Sequence, residues 1–367
     1  ISAATEEGTI IVPKPGHNDK FYFFHTRTAT DLYEDGHVSG LFFSLIDMEL
    51  DNGLGDVVDT LKNVYIIDST EEKISATPHA NGIDYWLMVR QGGTNNYHAF
   101  LITENGISGN PITTSLGLPS TVYHTQQGNL RFNHKGNIMA HTRGDNLEIF
   151  DFDNATGVLS NLRSVNSLGG FGLEFSPDDS KLYMGGPLQY DMSIPSQAAI
   201  EASETMLFTL GNTSMAGLQL GLDGKIYGNC FDGNNSHYMD VIHNPNALGA
   251  ACNYQDSAIY LLGKTGGISV PQFLPSFFRT NFYADTVCAG DTTGFYINFT
   301  FIDSVFWNFG DPPSGALNTD TAISPSHVYA TPGNYTVTLI AQNGVKTDTV
   351  IKTITVKGVP QIDLGED

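Results

Sequence analysis

The sequence has few basic residues, and it lacks long apolar runs. Its 367 residues include 17 lysines and arginines against 39 aspartates and glutamates, a formal net charge of −22. A surface this acidic repels phosphate backbones and anionic lipid head groups, so we predict neither nucleic-acid binding nor membrane-surface binding. The sequence contains no run of about 18 apolar residues, so we predict no transmembrane helix. No basic segment followed by an apolar one opens the sequence, so we expect any export signal to lie outside it.

Cysteine is also scarce. The three cysteines, Cys230, Cys252 and Cys288, allow at most one internal disulfide. Cys230 with Cys252 is the candidate pair, although the sequence leaves the pairing open. None of the three stands in a CxxC motif or at zinc spacing from a histidine, so we predict no zinc site and no other cofactor.

Helical periodicity is rare as well. Residues 196–206 are the best helical candidate, and they also fit a loop. The composition instead favours strands joined by tight turns, with 39 glycines, 16 tyrosines and 22 phenylalanines among many β-branched residues. We therefore predict an all-β fold.

A repeated hairpin occupies the middle of the chain. Each copy is a short alternating strand, a polar turn and a second alternating strand. Met139, Tyr183 and Tyr227 mark the copies at a constant interval of about 44 residues, within the period of propeller blades. A third strand follows each hairpin. The three copies begin at Gly128, Gly172 and Gly217.

Two looser copies precede these hairpins, within residues 10–48 and 81–103. Five blades are therefore readable, and Ile259–Leu262 suggests one strand of another. We predict a β-propeller over residues 1–278, seven-bladed when intact, with the N-terminal part of its ring missing. A large sandwich or a solenoid would use the same hairpins.

A second domain is predicted over residues 279–358. Strict alternation around Pro-Gly and Gly-Asp turns, over about eighty residues, is typical of a small β-sandwich with Trp307 in its core. Residues 359–367 read as the start of a next module.

Three ordered motifs in this second domain resemble the polycystic-kidney-disease (PKD) repeat. They are the Trp-Asn-Phe-Gly-Asp-Pro run from Trp307, the His-Val-Tyr run from His327 and the Pro-Gly-Asn-Tyr-Thr-Val-Thr-Leu run from Pro332. The resemblance implies an immunoglobulin-like extracellular spacer and adhesion module.

The preceding region resembles the propeller of very large secreted proteins of Bacteroidota. Those proteins usually end in a gliding-motility-associated C-terminal domain, which the type IX secretion system reads. The resemblance implies export through the periplasm to the cell surface, with the secretion and surface machinery as partners. It also implies that the chain is an internal piece of a longer polypeptide. It assigns no catalytic residue. The segments that carry it begin at Ile10, Leu54, Glu72, His79, Phe150, Thr156, Gly172, Asp223, Asn244 and Cys252.

Asp followed by Ser or Thr, and then by an apolar residue or Thr, recurs more often than the one or two copies, roughly, that composition predicts. The triplet resembles the O-glycosylation sequence of Bacteroidota, in which the hydroxyl residue accepts the glycan. Asp-Thr is also good turn chemistry, so both interpretations stay open. The candidate acceptors are Thr60, Ser69, Ser257, Thr286, Thr292, Ser304, Thr321 and Thr349.

Other polar clusters are candidate sites that we interpret as turns. His79 with Asn81 and Asp84 resembles an acid–base cluster, but Asn and Asp commonly cap turns. Oxygen-rich calcium loops are suggested by Asp151–Asn154, by Asp232 with Asn234 and Asn235, and by Asp311, but the EF-hand spacing is absent. We predict no catalytic, cofactor-binding or metal-binding residue.

The sequence therefore predicts a non-enzymatic binding or scaffold segment of an exported cell-surface adhesin or gliding-motility-associated protein. Surface glycans or other proteins are the expected partners. The alternative is a secreted carbohydrate-active enzyme or a glycan-binding accessory module, which clustered carboxylates at a propeller axis would favour. A cargo held by the export machinery is a third reading.

Overall fold

The structure is a computed structural model. It describes residues 8–17, 19–27, 40–119, 128–143, 146–167, 172–185, 188–207, 214–231, 237–267, 270, 272, 274, 282–285, 288–297, 302–343 and 346–358. The chain divides into two compact units, Ile1–Ser276 and Phe277–Asp367. The predicted boundary was residue 278, and the predicted next module, residues 359–367, lies outside the described residues.

The described part of the first unit contains five consecutive antiparallel sheets, in which neighbouring strands mostly follow chain order. The strands of the first two sheets are β1 (Thr9–Pro13), β2 (Lys20–Arg27), β3 (Gly40–Asp47), β4 (Asp56–Val57) and β5 (Val64–Asp68), then β6 (Thr70–Pro78), β7 (Tyr85–Gln91), β8 (Asn96–Thr103), β9 (Gly106–Ile107) and β10 (Ile112–Ser115).

The next three sheets have four strands each. They are β11 (Leu130–Phe132), β12 (Ile138–Arg143), β13 (Asn146–Asp153) and β14 (Val158–Asn166); β15 (Leu173–Phe175), β16 (Lys181–Met184), β17 (Leu188–Asp191) and β18 (Thr205–Met206); and β19 (Ser214–Leu220), β20 (Ile226–Phe231), β21 (Tyr238–Ile242) and β22 (Tyr254–Tyr260).

Short helices connect some of these strands. Helix α1 (Gln197–Ala202) lies within the segment predicted as helical, and the Ser196 hydroxyl caps it by accepting from the Ala199 amide. Single 3₁₀ turns in this unit span Asp51–Gly53, Asp59–Leu61 and Gly249–Cys252.

Apolar clusters fill the space between successive sheets. Phe24 and Leu87 are in the cluster between the first and second sheets, and Trp86 and Phe150 are in the cluster between the second and third. Two further clusters join the third sheet to the fourth and the fourth to the fifth. Sheets that pack face to face in chain order form a propeller-like arrangement, and the predicted all-β fold is confirmed.

All three predicted hairpins form, as β11–β12, β15–β16 and β19–β20. Ile259 and Tyr260 belong to β22, the fourth strand of the fifth sheet, so they do not begin another blade as the sequence suggested. Farther on, Leu274 is buried in the cluster between the first and second sheets. The chain therefore returns from the fifth sheet to the first.

The second unit is a β-sandwich, as predicted. Its strands are β23 (Phe282–Ala284), β24 (Thr292–Ile297), β25 (Ser304–Asn308), β26 (Thr319–Asp320), β27 (Ser326–Val328), β28 (Gly333–Asn343) and β29 (Lys346–Val356), and a 3₁₀ segment spans Pro312–Asn318. One sheet has the order β23–β24–β27 and the other β26–β25–β28–β29. Trp307 is fully buried in the core between them.

Candidate functional site

A buried network of charged side chains lies between the second and third sheets of the first unit. Glu71 and Lys73 come from β6, Arg90 from β7 and Glu148 from β13, and each is at most 1% exposed. Lys73 Nζ is 3.2 Å from Glu71 Oε2, and Arg90 Nη1 is 3.7 Å from Glu71 Oε1. Two carboxylates thus face two cations, and the network as a whole is neutral.

His141 and Tyr97 connect the two halves of this network. Lys73 Nζ lies 2.8 Å from His141 Nε2, which accepts because the ammonium can only donate. The other ring nitrogen, Nδ1, therefore carries the proton and lies 2.9 Å from the Tyr97 hydroxyl. Tyr97 in turn donates to Glu148 Oε2 at 3.1 Å. The chain of hydrogen bonds runs unbroken from Lys73 to Glu148.

Burial dominates the electrostatics of this network. It lowers the pKa of Lys73 to about 8 against the attraction of Glu71. It also raises the pKa of the Tyr97 hydroxyl well above its usual range. A buried charge is costly unless it is paired, so these groups must stay together for the two sheets to pack.

A second buried ion pair, Arg131 with Glu174, connects the first strands of successive sheets. The first strands of successive sheets contact one another, and Arg131 on β11 reaches across them. Its Nε donates to the Leu173 carbonyl on β15 at 3.0 Å, and Nη2 donates to the Leu218 carbonyl on β19 at 2.9 Å. Glu174, 3.9 Å from Arg131, accepts from the Leu220 amide. The side chains of Arg131 and Glu174 therefore help to hold three sheets together.

The sequence analysis missed both networks. The available signal was the run Glu71-Glu72-Lys73 inside a strand that is otherwise uncharged and mostly buried, and Arg131 between the core residues Leu130 and Phe132. Charged residues within a strand suggest that their side of the strand faces solvent. Only the packing of the next sheet shows that this side is covered.

His79, Asn81 and Asp84 form a turn, as the sequence analysis preferred. Asn81 Oδ1 accepts from the Ile83 and Asp84 amides, and His79 Nδ1 accepts from the Asn81 amide. His79 Nε2 lies 3.2 Å from the Ala155 carbonyl on the neighbouring sheet. The histidine therefore helps to join two sheets.

The calcium candidates that the structure describes are occupied by protein donors. Asp153 accepts from the Ala155 amide and the Thr156 hydroxyl, and Asp151 accepts from Arg163. Asp232, Asn234 and Asn235 lie outside the described residues.

Three acidic side chains in the described part of the chain, Asp19, Asp47 and Glu49, lie close enough to share a cation. Lys20 occupies this place, since its ammonium bonds to Asp47 and lies 3.7 Å from Asp19. The bond to Lys20 lowers the pKa of Asp47.

The described candidate glycan acceptors are all exposed. Two of them directly precede buried threonines, Thr70 after Ser69 and Thr293 after Thr292. At both places the candidate acceptor is exposed and the hydroxyl residue that follows it is buried. Ser69, between β5 and β6, and Ser257, within β22, have positive φ angles of 53° and 51°, so the backbone departs from regular strand geometry at both residues. Thr286 lies outside the described residues. The exposed acceptors are Thr60, Ser69, Ser257, Thr292, Ser304, Thr321 and Thr349.

The predicted Cys230–Cys252 disulfide is not present. Cys252 has a free, buried thiol, and the Cys230 side chain is outside the described part. The backbone also separates them. Cys230 follows Asn229, which pairs with Met239, whereas the Cys252 carbonyl accepts from Asn244, beyond the other end of β21. At about 3.3 Å per strand residue this is on the order of 10 Å or more, too far for a disulfide.

In the second unit, the three sequence motifs meet in one buried cluster. Asp311 Oδ2 lies 3.0 Å from His327 Nε2, and the His327 ring stacks on Phe309. The Tyr329 hydroxyl donates to the Phe309 carbonyl, and Trp307 donates to the Ala322 carbonyl. Asp311, which the sequence analysis interpreted as part of a turn, pairs with a histidine ring because the His-Val-Tyr strand packs directly beside it.

An immunoglobulin-like sandwich with this cluster defines a class of extracellular module, and the comparisons agree. Residues 281–357 match the PKD domain family. PKD domains are typical of extracellular proteins and serve as adhesion or scaffold modules. No curated protein matches the chain. Within the described residues, none of the helices has the length and apolar character needed to span a membrane.

Several solved structures are similar to parts of the chain. The PKD1 domain of Vibrio anguillarum Epp is 23% identical, covering 22% of this chain and 94% of that one, with a TM-score of 0.19. A functionally unknown protein from Desulfotomaculum acetoxidans is 12% identical over 53% of this chain and 73% of that one, with a TM-score of 0.29. The Dos1 propeller is 10% identical over 61% and 51%, with a TM-score of 0.37.

Proposed function

We propose that the chain is a non-enzymatic binding and scaffold segment of a large exported cell-surface protein, an adhesin or a gliding-motility-associated protein of Bacteroidota. The PKD domain at residues 281–357 carries the proposal, because modules of this kind act in extracellular adhesion and spacing. Export by the type IX secretion system and contact with the surface machinery belong to the same proposal, and the sequence resemblance supports them.

The state of the buried carboxylates also supports a scaffold. Glycosidases need two carboxyl groups that reach substrate and solvent between them. Glu71, Glu148 and Glu174 are each at most 1% exposed and are bound to cations, a hydroxyl or backbone amides. Groups engaged in this way hold sheets together and are not free for acid–base chemistry.

A binding assay and an activity assay on the same protein separate this proposal from its alternative. The full chain should bind immobilised cell-surface material or glycans and release no reducing sugar from polysaccharides. Catalytic release that is lost in Glu148→Gln or Glu174→Gln, with folding retained, would instead establish the carbohydrate-active enzyme.

We further propose that the exposed Asp-Ser/Thr positions carry O-glycans in the native protein. Their uniform exposure is what an acceptor requires, and glycans would add bulk and hydration there. Mass spectrometry of peptides from native material tests this. Modified Ser69 and Thr292 beside unmodified Thr70 and Thr293 is the expected pattern, and bare peptides at all of these acceptors would refute it.

A further inference from the structure

The outer face of one sheet in the second unit presents a pair of tyrosines. Tyr283 on β23 lies directly opposite Tyr296 on β24. Their neighbours Phe282 and Phe295 point into the core and are fully buried, whereas the tyrosines are 58% and 50% exposed. Two tyrosine side chains thus project from paired positions of neighbouring strands on a solvent-facing surface, although core packing does not require aromatic residues there.

Tyr296 is held in a fixed orientation. A Cβ added to Gly294 would lie 2.6 Å from the Tyr296 hydroxyl oxygen, so the side chain extends along its own strand over the bare glycine. The hydroxyl donates to Asp285 Oδ2 at 3.2 Å, and the Gly294 amide donates to the same oxygen. The ring therefore lies along the sheet surface, pinned at its far end, and needs little further ordering to take a ligand.

A pocket of about 240 Å³ adjoins Tyr283 and separates β23 from β29. Lys352 forms part of its wall. The ammonium donates to the Phe282 carbonyl at 2.7 Å and lies 5.3 Å from the ring centres of Phe282 and Tyr283. Two N–H donors of Lys352 and further lone pairs of Asp285 stay available. The remaining lining residues are Ala284, Ile354 and Thr355.

We propose that this surface, the tyrosine face of Tyr283, Tyr296, Asp285 and Lys352, binds a neutral saccharide chain. An aromatic face takes the C–H side of a pyranose ring, while a carboxylate and an ammonium at its rim take the hydroxyls. The pocket is smaller than the 300 to 1,000 Å³, roughly, of enclosing ligand sites, so it suits one sugar unit of a chain that lies along the surface.

Charge selects against the other ligands that stack on tyrosine. Nucleic acids and acidic polysaccharides meet Asp285 at the site and a net charge of −22 on the whole chain. A proline-rich peptide would stack on the rings but has few hydroxyls for Asp285 and Lys352. The inference rests on the proposed adhesive function and names the ligand class and the face that takes it.

Affinity electrophoresis of the full chain tests the proposal, since its negative charge drives it through native gels that contain laminarin, xylan or dextran. We expect retardation by at least one of them. Tyr283→Ala and Tyr296→Ala should each raise the dissociation constant about tenfold or more. Tyr296→Phe, which keeps the ring, should retain most of the affinity. Tyr238→Ala, at a half-exposed tyrosine of the first unit, is the matched control and should bind as the parent does.

Three results would overturn the inference. They are no retardation by any of these polysaccharides, equal retardation of parent and alanine variants, and binding of a polyproline peptide in place of the sugars. Far-UV circular dichroism on each variant excludes unfolding as the cause of a loss. If the parent and both alanine variants adhere equally to cell-surface material, the adhesive function stands and only the tyrosine face fails as its site.

Discussion

Lys73 is a cation inside a closed interface, and its pKa of about 8 makes stability depend on pH. In the unfolded chain the amine keeps its proton up to its ordinary pKa of 10.5. Between these two values the unfolded state binds more protons, so the free energy of unfolding rises with pH across that window. Below about pH 8 the full cost of the buried charge is present. At about 1.4 kcal/mol per unit, that cost is about 3 kcal/mol.

Lys73→Met and Lys73→Gln should remove this dependence. We expect the free energy of unfolding of the parent, relative to either variant, to rise by about 2 kcal/mol between pH 8 and 9.5. Urea denaturation at four or five pH values in this range measures it. Above about pH 10 the buried tyrosines oppose the trend, because the unfolded chain releases their protons first. Parallel curves for parent and variants would show that folded Lys73 keeps its proton throughout this range, as the unfolded chain does, and would contradict the lowered pKa.

Asp311 is the residue on which the second unit's buried cluster depends. Asp311→Ala leaves His327 Nε2 without its acceptor in a pocket that is almost closed to water. We expect a loss of about 1 to 3 kcal/mol, the usual cost of a buried unpaired polar group. Hydrogen exchange measured by mass spectrometry on peptides from residues 282–358 reports this unit separately. Asp291→Ala, at an exposed aspartate of the same unit, should leave exchange nearly unchanged.

At the scale of elements, one turn stabilises the next. Asp179, in the β15–β16 turn, accepts from the backbone amides of His134 and Lys135 in the β11–β12 turn, at 2.8 and 3.1 Å. It also lies 2.7 Å from His134 Nδ1. The side chain of its neighbour Asp178 instead accepts within its own turn, from the Ser176 hydroxyl and the Ser180 amide. The Asp179 side chain thus joins two sheets, whereas the Asp178 side chain stabilises a single turn.

Asp179→Gly should cost about 1.5 to 3 kcal/mol, because charged acceptors of backbone amides are lost. The substitution relieves the positive φ of 63° at this position, so backbone strain cannot account for a loss. Asp178→Gly, the matched control, should cost about 1 kcal/mol or less. Urea denaturation measures both, and exchange of the 133–138 segment should rise only for Asp179→Gly. Equal effects of the two changes would assign Asp179 a purely local role.

The elements themselves were largely predictable from sequence. Alternation and polar turns specified the hairpins that begin at Gly128, Gly172 and Gly217, and the Trp307 and His327 motifs specified the sandwich. What the sequence could not show is which face of a strand a later sheet covers. The sequence analysis did not recognise Glu71 and Arg131 as buried, because their partners, Arg90 and Glu174, lie on other strands. Cys230 and Cys252 failed as a pair because register along β21 separates them.

At the scale of the whole molecule, the charges of the described buried networks are paired, whereas the surface carries an excess of acidic groups. The buried networks pair their cations with carboxylates, so these pairs are neutral and largely sheltered from salt. The formal charge of −22 must then be carried mainly at the surface, because balanced buried pairs leave unchanged the chain's excess of 39 acids over 17 lysines and arginines. Such an excess favours solubility and opposes compactness by self-repulsion.

Added salt should therefore stabilise the folded chain. Raising ionic strength from 0.01 to 0.15 M shortens the Debye length from about 30 to about 8 Å, which screens surface charges and leaves buried pairs almost unaffected. We expect the melting temperature to rise by several degrees, as measured by calorimetry. Replacing Asp51, Asp56 and Asp59, three exposed acids of one connection, with asparagine should reduce that rise. A melting temperature that stays constant or falls with salt would mean that surface pairs, and not the net charge, govern stability, because salt weakens pairs while it relieves repulsion.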